Sequence, residues 1–145
     1  MTALKPITKE NLNEVLALRI KDSQAGFVSS VAESLAQAYA YRDTAFPFAV
    51  YSGHEAVGFI MLGYYEKKRY YTLWKLLIDR QYQNKGFGRE ALEQGIAFLK
   101  SRFHVKEIYT GVLPQNAVAK HLYSSVGFQP TGTVEDGMEE MRLLC

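Results

Sequence analysis

The chain has 145 residues and a formal net charge of +2, with 48% apolar residues. This length predicts one domain, 1–145, with a buried core. The charge is too balanced to argue for nucleic acid or an anionic membrane, so neither is expected as a partner, and the lone Cys145 excludes an intramolecular disulfide and a thiolate metal site.

His54, His104 and His121 lack ligand spacing, so no metal is expected. No apolar run approaches the ~20 residues of a membrane span. Met1 to Glu10 lack the basic-then-apolar pattern of a secretory signal. A cytoplasmic enzyme or binding module is the expectation.

Along the chain, Ala3 to Ile7 reads as a strand, and Thr8 as the cap of a helix carrying Leu12, Val15, Leu16 and Leu18. Ser30 and Glu33 form a capping box for a second helix. Phe46–Tyr51 and Ala56–Tyr65 read as a hairpin through Ser52-Gly53. Glu66-Lys67-Lys68-Arg69 is a charged turn, and Tyr70–Asp79 is the next strand.

Arg80 to Lys85 is polar and leads through Gly86-Phe87-Gly88 into a helix with Leu92, Ile96 and Leu99 at helical spacing. Glu107–Leu113 is a strand. Asn116 caps a further helix that Gly127 stops. Phe128–Val134 and Met138–Leu144 close the chain as a hairpin. The order β, α, α, β, β, β, α, β, α, β, β predicts an α/β (α+β) domain with a mixed sheet, not a doubly wound one.

The segment from Leu76 to Arg89 carries the chemistry. Glycines at 86 and 88 let the backbone approach a ligand. The helix that begins there aims unpaired N–H groups and a positive dipole end into the loop. That is an anion site, suited to phosphate or pyrophosphate. Lys85 and Arg89 add charge nearby. A structural turn is one reading of such a glycine pair. A dinucleotide fingerprint is another, but Asp79 to Lys85 separate the strand from Gly86, whereas that fingerprint places the first glycine directly after the strand. A P-loop is excluded, because no Gly-Lys-Ser/Thr follows.

Gln83-x-x-Gly86-x-Gly88 resembles the Q/R-x-x-G-x-G/A pyrophosphate motif of the GCN5-related N-acetyltransferases. Downstream, Asn116 to Phe128 resembles the N-x-x-A-x-x-L-Y-x-x-x-G-F segment of the same family. The two motifs lie in the family's order and spacing, and the element order over the whole chain matches too. The resemblance implies a mostly antiparallel sheet flanked by about four helices, with splayed central strands. Gln24-x-x-Phe27-Val28-x-Ser30 and Lys75–Asp79 are similar to the bacterial spermine/spermidine acetyltransferases.

The resemblance implies acetyl-CoA as co-substrate and a small-molecule amine, possibly a polyamine, as acceptor, by direct attack in a ternary complex. The backbone from Gln83 through Asn84, Lys85, Gly86, Phe87 and Gly88 to Arg89 would hold the pyrophosphate. Leu76, Leu77 and Ile78 would pair with the pantetheine arm, an amide near Ile78 would polarise the thioester carbonyl, and Asn116 would touch the cofactor. Tyr123, seven residues after Asn116, would protonate the leaving thiolate.

At ordinary pKa values that proton transfer is uphill by roughly 2 kcal/mol. A primary amine costs roughly 4.6 kcal/mol to neutralise at pH 7, so a carboxylate near the acceptor is expected. Glu33 and Glu66 are the acceptor-site candidates. Asp79 and Asp22 are further carboxylates to weigh, with Asp79 also suited to orienting the loop, and no base is assigned. Tyr64, Tyr65, Tyr70, Tyr71 and Trp74 either line an acceptor cleft or pack the sheet. Competing functions are a protein N-terminal or lysine acetyltransferase and a CoA-binding regulatory module without turnover. A homodimer through the C-terminal strands is compatible with the family.

Overall fold

The computed structural model describes residues 2–27 and 29–145; Val28, part of the resemblance above, lies outside them. The elements are β1 (Thr2–Lys5), α1 (Leu12–Leu16), a 3-10 turn (Asp22–Gln24), α2 (Val31–Ala40), β2 (Ala45–Ser52), β3 (Glu55–Tyr65), β4 (Tyr70–Ile78), α3 (Phe87–Phe103), β5 (Glu107–Val112), α4 (Ala117–Ser125), β6 (Gln129–Glu135) and β7 (Met138–Leu144). The expected order holds. The strands form one sheet in the order β1-β2-β3-β4-β5-β7-β6. Every neighbouring pair is antiparallel except β4 and β5.

The first expected boundaries shift. Pro6 has no N–H for the ladder, so β1 stops at Lys5. Thr8 does not cap the next helix. Its N–H donates to Asn11 Oδ1 at 2.8 Å, and the helix begins only at Leu12. Ser30 does cap α2: its hydroxyl accepts the Glu33 N–H at 3.1 Å. Gly127, at φ +110°, ends α4 as expected, and the Phe128 N–H closes back onto the Tyr123 carbonyl at 3.0 Å.

β3 is buried on both faces, so its apolar run is nearly continuous. Ile60 and Leu62 enter one core cluster with Leu92 and Leu99 of α3 and Phe128. Phe59 and Met61 enter the other, with Val15 and Leu18 near α1 and Val31 of α2. Each such side chain contributes about 1.5–3 kcal/mol by leaving water.

Two irregularities shape the functional region. β4 and β5 pair only at Thr72↔Tyr109 and Leu73↔Thr110, then part. Side chains rivet this vertex: Thr72 Oγ1 donates to the Tyr109 carbonyl at 2.9 Å and Thr110 Oγ1 to the Leu73 carbonyl at 3.0 Å. β4 also carries a bulge against β3. Leu73 faces Leu62 and Lys75 faces Met61, which leaves Trp74 without a partner on that strand.

Candidate active site

A cleft of about 750 Å³ opens where β4 and β5 part. Its walls are the C-terminal half of β4, the loop into α3, the start of α4 and the segment leading into α2. Tyr123 comes off α4 onto the vertex of the splay, beside Thr110. The residue is only 9% exposed. Burial pushes its phenol up to about 12, with the neighbouring Thr110 hydroxyl pulling the other way.

The loop after β4 is tied down by Asp79. This buried carboxylate accepts the Arg19 N–H on Oδ2 at 2.8 Å and the Gln81 N–H on Oδ1 at 2.9 Å. The Arg80 N–H reaches the Arg19 carbonyl at 2.6 Å, and the Tyr82 N–H returns to the Asp79 carbonyl at 2.8 Å. Both Asp79 oxygens therefore hold backbone, which assigns the residue to loop orientation rather than to amine deprotonation. Asp79→Ala strands two N–H groups. We expect a loss of about 3 kcal/mol, read as a Tm lowered by about 10 °C. A melt unchanged within 2–3 °C would contradict the clamp.

Gln83 folds back over the same loop. Its Nε2 donates to the Ile78 carbonyl at 3.0 Å and to Gln24 Oε1 at 2.9 Å, and Gln24 Nε2 donates to Gln83 Oε1 at 3.1 Å. Asn84 and Gly86 both take positive φ, +63° and +85°. No side chain caps α3, and its first intrahelical bond is Glu90 N–H to the Gly86 carbonyl. The N–H groups of Phe87, Gly88 and Arg89 are therefore the helix's orphan donors. An uncapped 17-residue helix starting at a cleft suits an anion such as a phosphate or pyrophosphate group. At Gly88 a Cβ would meet Ile78 and Leu122 at 3.6 Å, an ordinary contact, so alanine is compatible there.

Of the residues singled out above, Leu76, Leu77, Ile78, Gln83, Asn84, Gly86, Phe87, Gly88, Asn116, Tyr123 and Glu33 all line the cleft. Asn116 is also a cap, its Oδ1 accepting the Ala119 N–H at 3.3 Å. Four candidate side chains are not brought in, the first being Asp22 of the 3-10 turn. Arg89 turns along α3 toward Glu93, Nε to Oε1 at 3.8 Å, and Lys85 lies over the Tyr82 ring at 5.8 Å. Glu66 sits in the β3–β4 turn, at the end of β4 away from the cleft. Of the aromatic cluster only Trp74 lines the cleft; Tyr64 packs on Tyr71, Tyr65 on Tyr70, and Tyr70 stacks on Tyr109. Lys120 pairs with Glu139 at 3.0 Å.

Sequence reasoning noted Lys75 only as the start of the Lys75–Asp79 resemblance, gave it no role and passed over Ser29; the two meet in the cleft with Lys75 Nζ donating to Ser29 Oγ at 2.8 Å. Nothing in the local pattern signals that pairing, because the bulge at Trp74 breaks the strand's alternation. Among the described residues, no group of three His, Cys, Asp or Glu is placed to hold a metal ion, and no helix is long and apolar enough to cross a membrane.

A model of the Acetyltransferase (GNAT) family matches residues 12–128. The chain belongs to that family. It is a GNAT-type acyltransferase. The spermine/spermidine N(1)-acetyltransferase of Bacillus subtilis strain 168 is 28% identical over 147 aligned positions, covering 95% of this chain and 94% of that protein. The spermidine N-acetyltransferase of Vibrio cholerae, crystallised with CoA and spermine, superposes with a TM-score of 0.76 at 19% identity, over 99% of this chain and 95% of the other. The PaiA N-acetyltransferase of Thermoplasma acidophilum, crystallised with coenzyme A, gives 0.75 at 17% identity, over 100% and 99%. The splayed mixed sheet is thus the GNAT fold.

Proposed function

We propose that this GNAT protein moves the acetyl group of acetyl-CoA to a primary amine of a small molecule, by direct attack in a ternary complex. One observation carries the reading: a single cleft joins the uncapped start of α3, the parted edge of β4 and the buried phenol of Tyr123. Acetyl-CoA supplies an activated thioester. The amides of Phe87, Gly88 and Arg89 bind its pyrophosphate, with Asn84 and Gly86 shaping the turn. The β4 edge from Leu76 to Ile78 takes the pantetheine arm as an added strand. A β4 amide in that stretch polarises the thioester carbonyl. Asn116 holds the start of α4 against the same arm.

The amine attacks as the free base. Its N–C bond forms as the C–S bond breaks, the thiolate leaves hydrogen-bonded to the Tyr123 hydroxyl, and the proton released from the nitrogen passes to water as the thiolate takes up one in its place, so that the products are the amide and free CoA thiol. Glu33, exposed and lining the cleft, helps the ammonium lose its proton, directly or through water.

Relatives of this chain bear the names of spermine and spermidine acetyltransferases, which makes polyamines the first acceptors to assay. The discriminating experiment is thiol release from acetyl-CoA with a panel of amines that includes diamines, polyamines, amino acids and peptides. Turnover of at least one small amine is expected. Turnover of peptides alone would point to a protein acetyltransferase. Tight CoA binding with no turnover would favour a regulatory module.

A further inference from the structure

The cleft is poorly built for a polycation. Three of its described lining residues belong to the ordinarily charged types: Glu33 on α2, Lys75 on β4 and Asp136 in the β6–β7 turn. The two acids stand on separate elements, and a lysine stands among them.

Lys75 is there because of the bulge. It faces Met61 across the ladder, and Met61 belongs to the core cluster on the α1–α2 side. Trp74 packs on that same cluster and Leu77 lies within it. The side chain ends on Ser29, with Nζ donating to Oγ at 2.8 Å. That partner is neutral. Among the described residues no carboxylate lies within ion-pair distance of Lys75. Partial burial draws the ammonium below its ordinary pKa, and the field of Glu33 works the other way.

An ammonium has three N–H donors and no acceptor. One donor is spent on Ser29. A half-buried cation with donors to spare, facing a cleft, suits an anion through charge-assisted hydrogen bonds. The same charge repels the second ammonium of a diamine. Glu33, from the helix that Ser29 and Ser30 lead into, supplies the opposite sign a short way off.

We propose that Lys75, with Ser29, binds a carboxylate on the acceptor, so that this enzyme's substrate is a small amino-carboxylate whose ammonium end faces Glu33, and not a polyamine. The inference rests on the acetyltransfer reading for the location of the acceptor. Lys75 is a specificity residue here, with no part in bond making.

The test uses ligand pairs that differ by one carboxylate: L-lysine against cadaverine, and L-phenylalanine against phenethylamine. Each is titrated calorimetrically into the full-length protein saturated with CoA, with spermidine as the polycation. The carboxylated member should bind at least about tenfold more tightly in each pair. Lys75→Gln should bring each ratio within about twofold, and Lys75→Glu should reverse it in favour of cadaverine and spermidine. Lys75→Arg keeps the cation and should keep the preference, which guards against a variant that merely misfolds.

Cadaverine or spermidine binding the native protein as tightly as L-lysine would overturn the proposal. So would Lys75→Gln leaving the ratios unchanged. Because binding is read without turnover, the result stands apart from the acetyltransfer reading: no acetylation of any amine sinks that reading, while the binding ratios still decide this one.

Discussion

Tyr123→Phe should lower kcat about 100-fold and leave the KM for acetyl-CoA within about twofold. The phenol is raised to about 12 by burial, while a thiol has an ordinary value near 8.5. Complete proton transfer in the resting environment is therefore uphill by about 5 kcal/mol, more than ordinary values imply. The useful contribution is a neutral O–H aimed at sulfur as its charge develops. A hydrogen bond to an ionised acceptor contributes about 1.5–3 kcal/mol. Because that charge exists only on the way to the transition state, the loss falls on kcat rather than on ground-state binding.

The pH dependence follows with a definite sign. A raised pKa favours the protonated form, so Tyr123 remains a donor throughout the neutral range. It should add no falling limb to kcat below about pH 10. Its contribution to stability is complete below the unfolded value near 10 and is lost as pH rises toward the folded value of about 12. An unchanged kcat in Tyr123→Phe would remove the residue from the reaction.

Gly86→Val should weaken CoA binding about 100-fold, read by titration calorimetry. The reason is conformational. A Cβ at position 86 meets nothing within 4 Å, but the backbone stands at φ +85°. An L-residue pays about 1–2 kcal/mol to stay there, and a β-branched one fits worse. The loop relaxes toward negative φ, and the donors at the start of α3 swing off the anion. Gly86→Asn tests this cause, because asparagine tolerates positive φ through local hydrogen bonding. It should hold affinity within about fivefold. Intact CoA affinity in Gly86→Val would mean that the pyrophosphate sits elsewhere.

Much of this protein is legible in its sequence. The element order, the polar loop into α3, the cap at Asn116 and the stop at Gly127 all rest on contacts between residues close in sequence. Boundaries failed where a single residue intervened, as at Pro6, whose missing N–H ended β1 early, and at Asn11, which took the place expected of Thr8. The phosphate-binding expectation rests on the start of α3, because a helix N-terminus offers backbone donors whatever the side chains do. The local motif does not determine where long, exposed side chains point, so the positions of the Lys85 and Arg89 side chains, over Tyr82 and toward Glu93, follow from tertiary structure.

By itself, then, the amino-acid order determined the mixed sheet, the loop from Gln83 to Arg89 and the candidacy of Tyr123. Tertiary structure decided how those parts act. The splay beyond Leu73 and Thr110 turned a sheet edge into a cleft, and burial at its vertex gave Tyr123 a phenol that holds its proton. Asp79 became a clamp because Arg19, 60 positions away, offered it an N–H. The unpaired Trp74 set Lys75 on Ser29, within the field of Glu33. Each of these depends on registers and packing between distant segments, and the energies that choose them are shared across the sheet rather than written in any local run of residues.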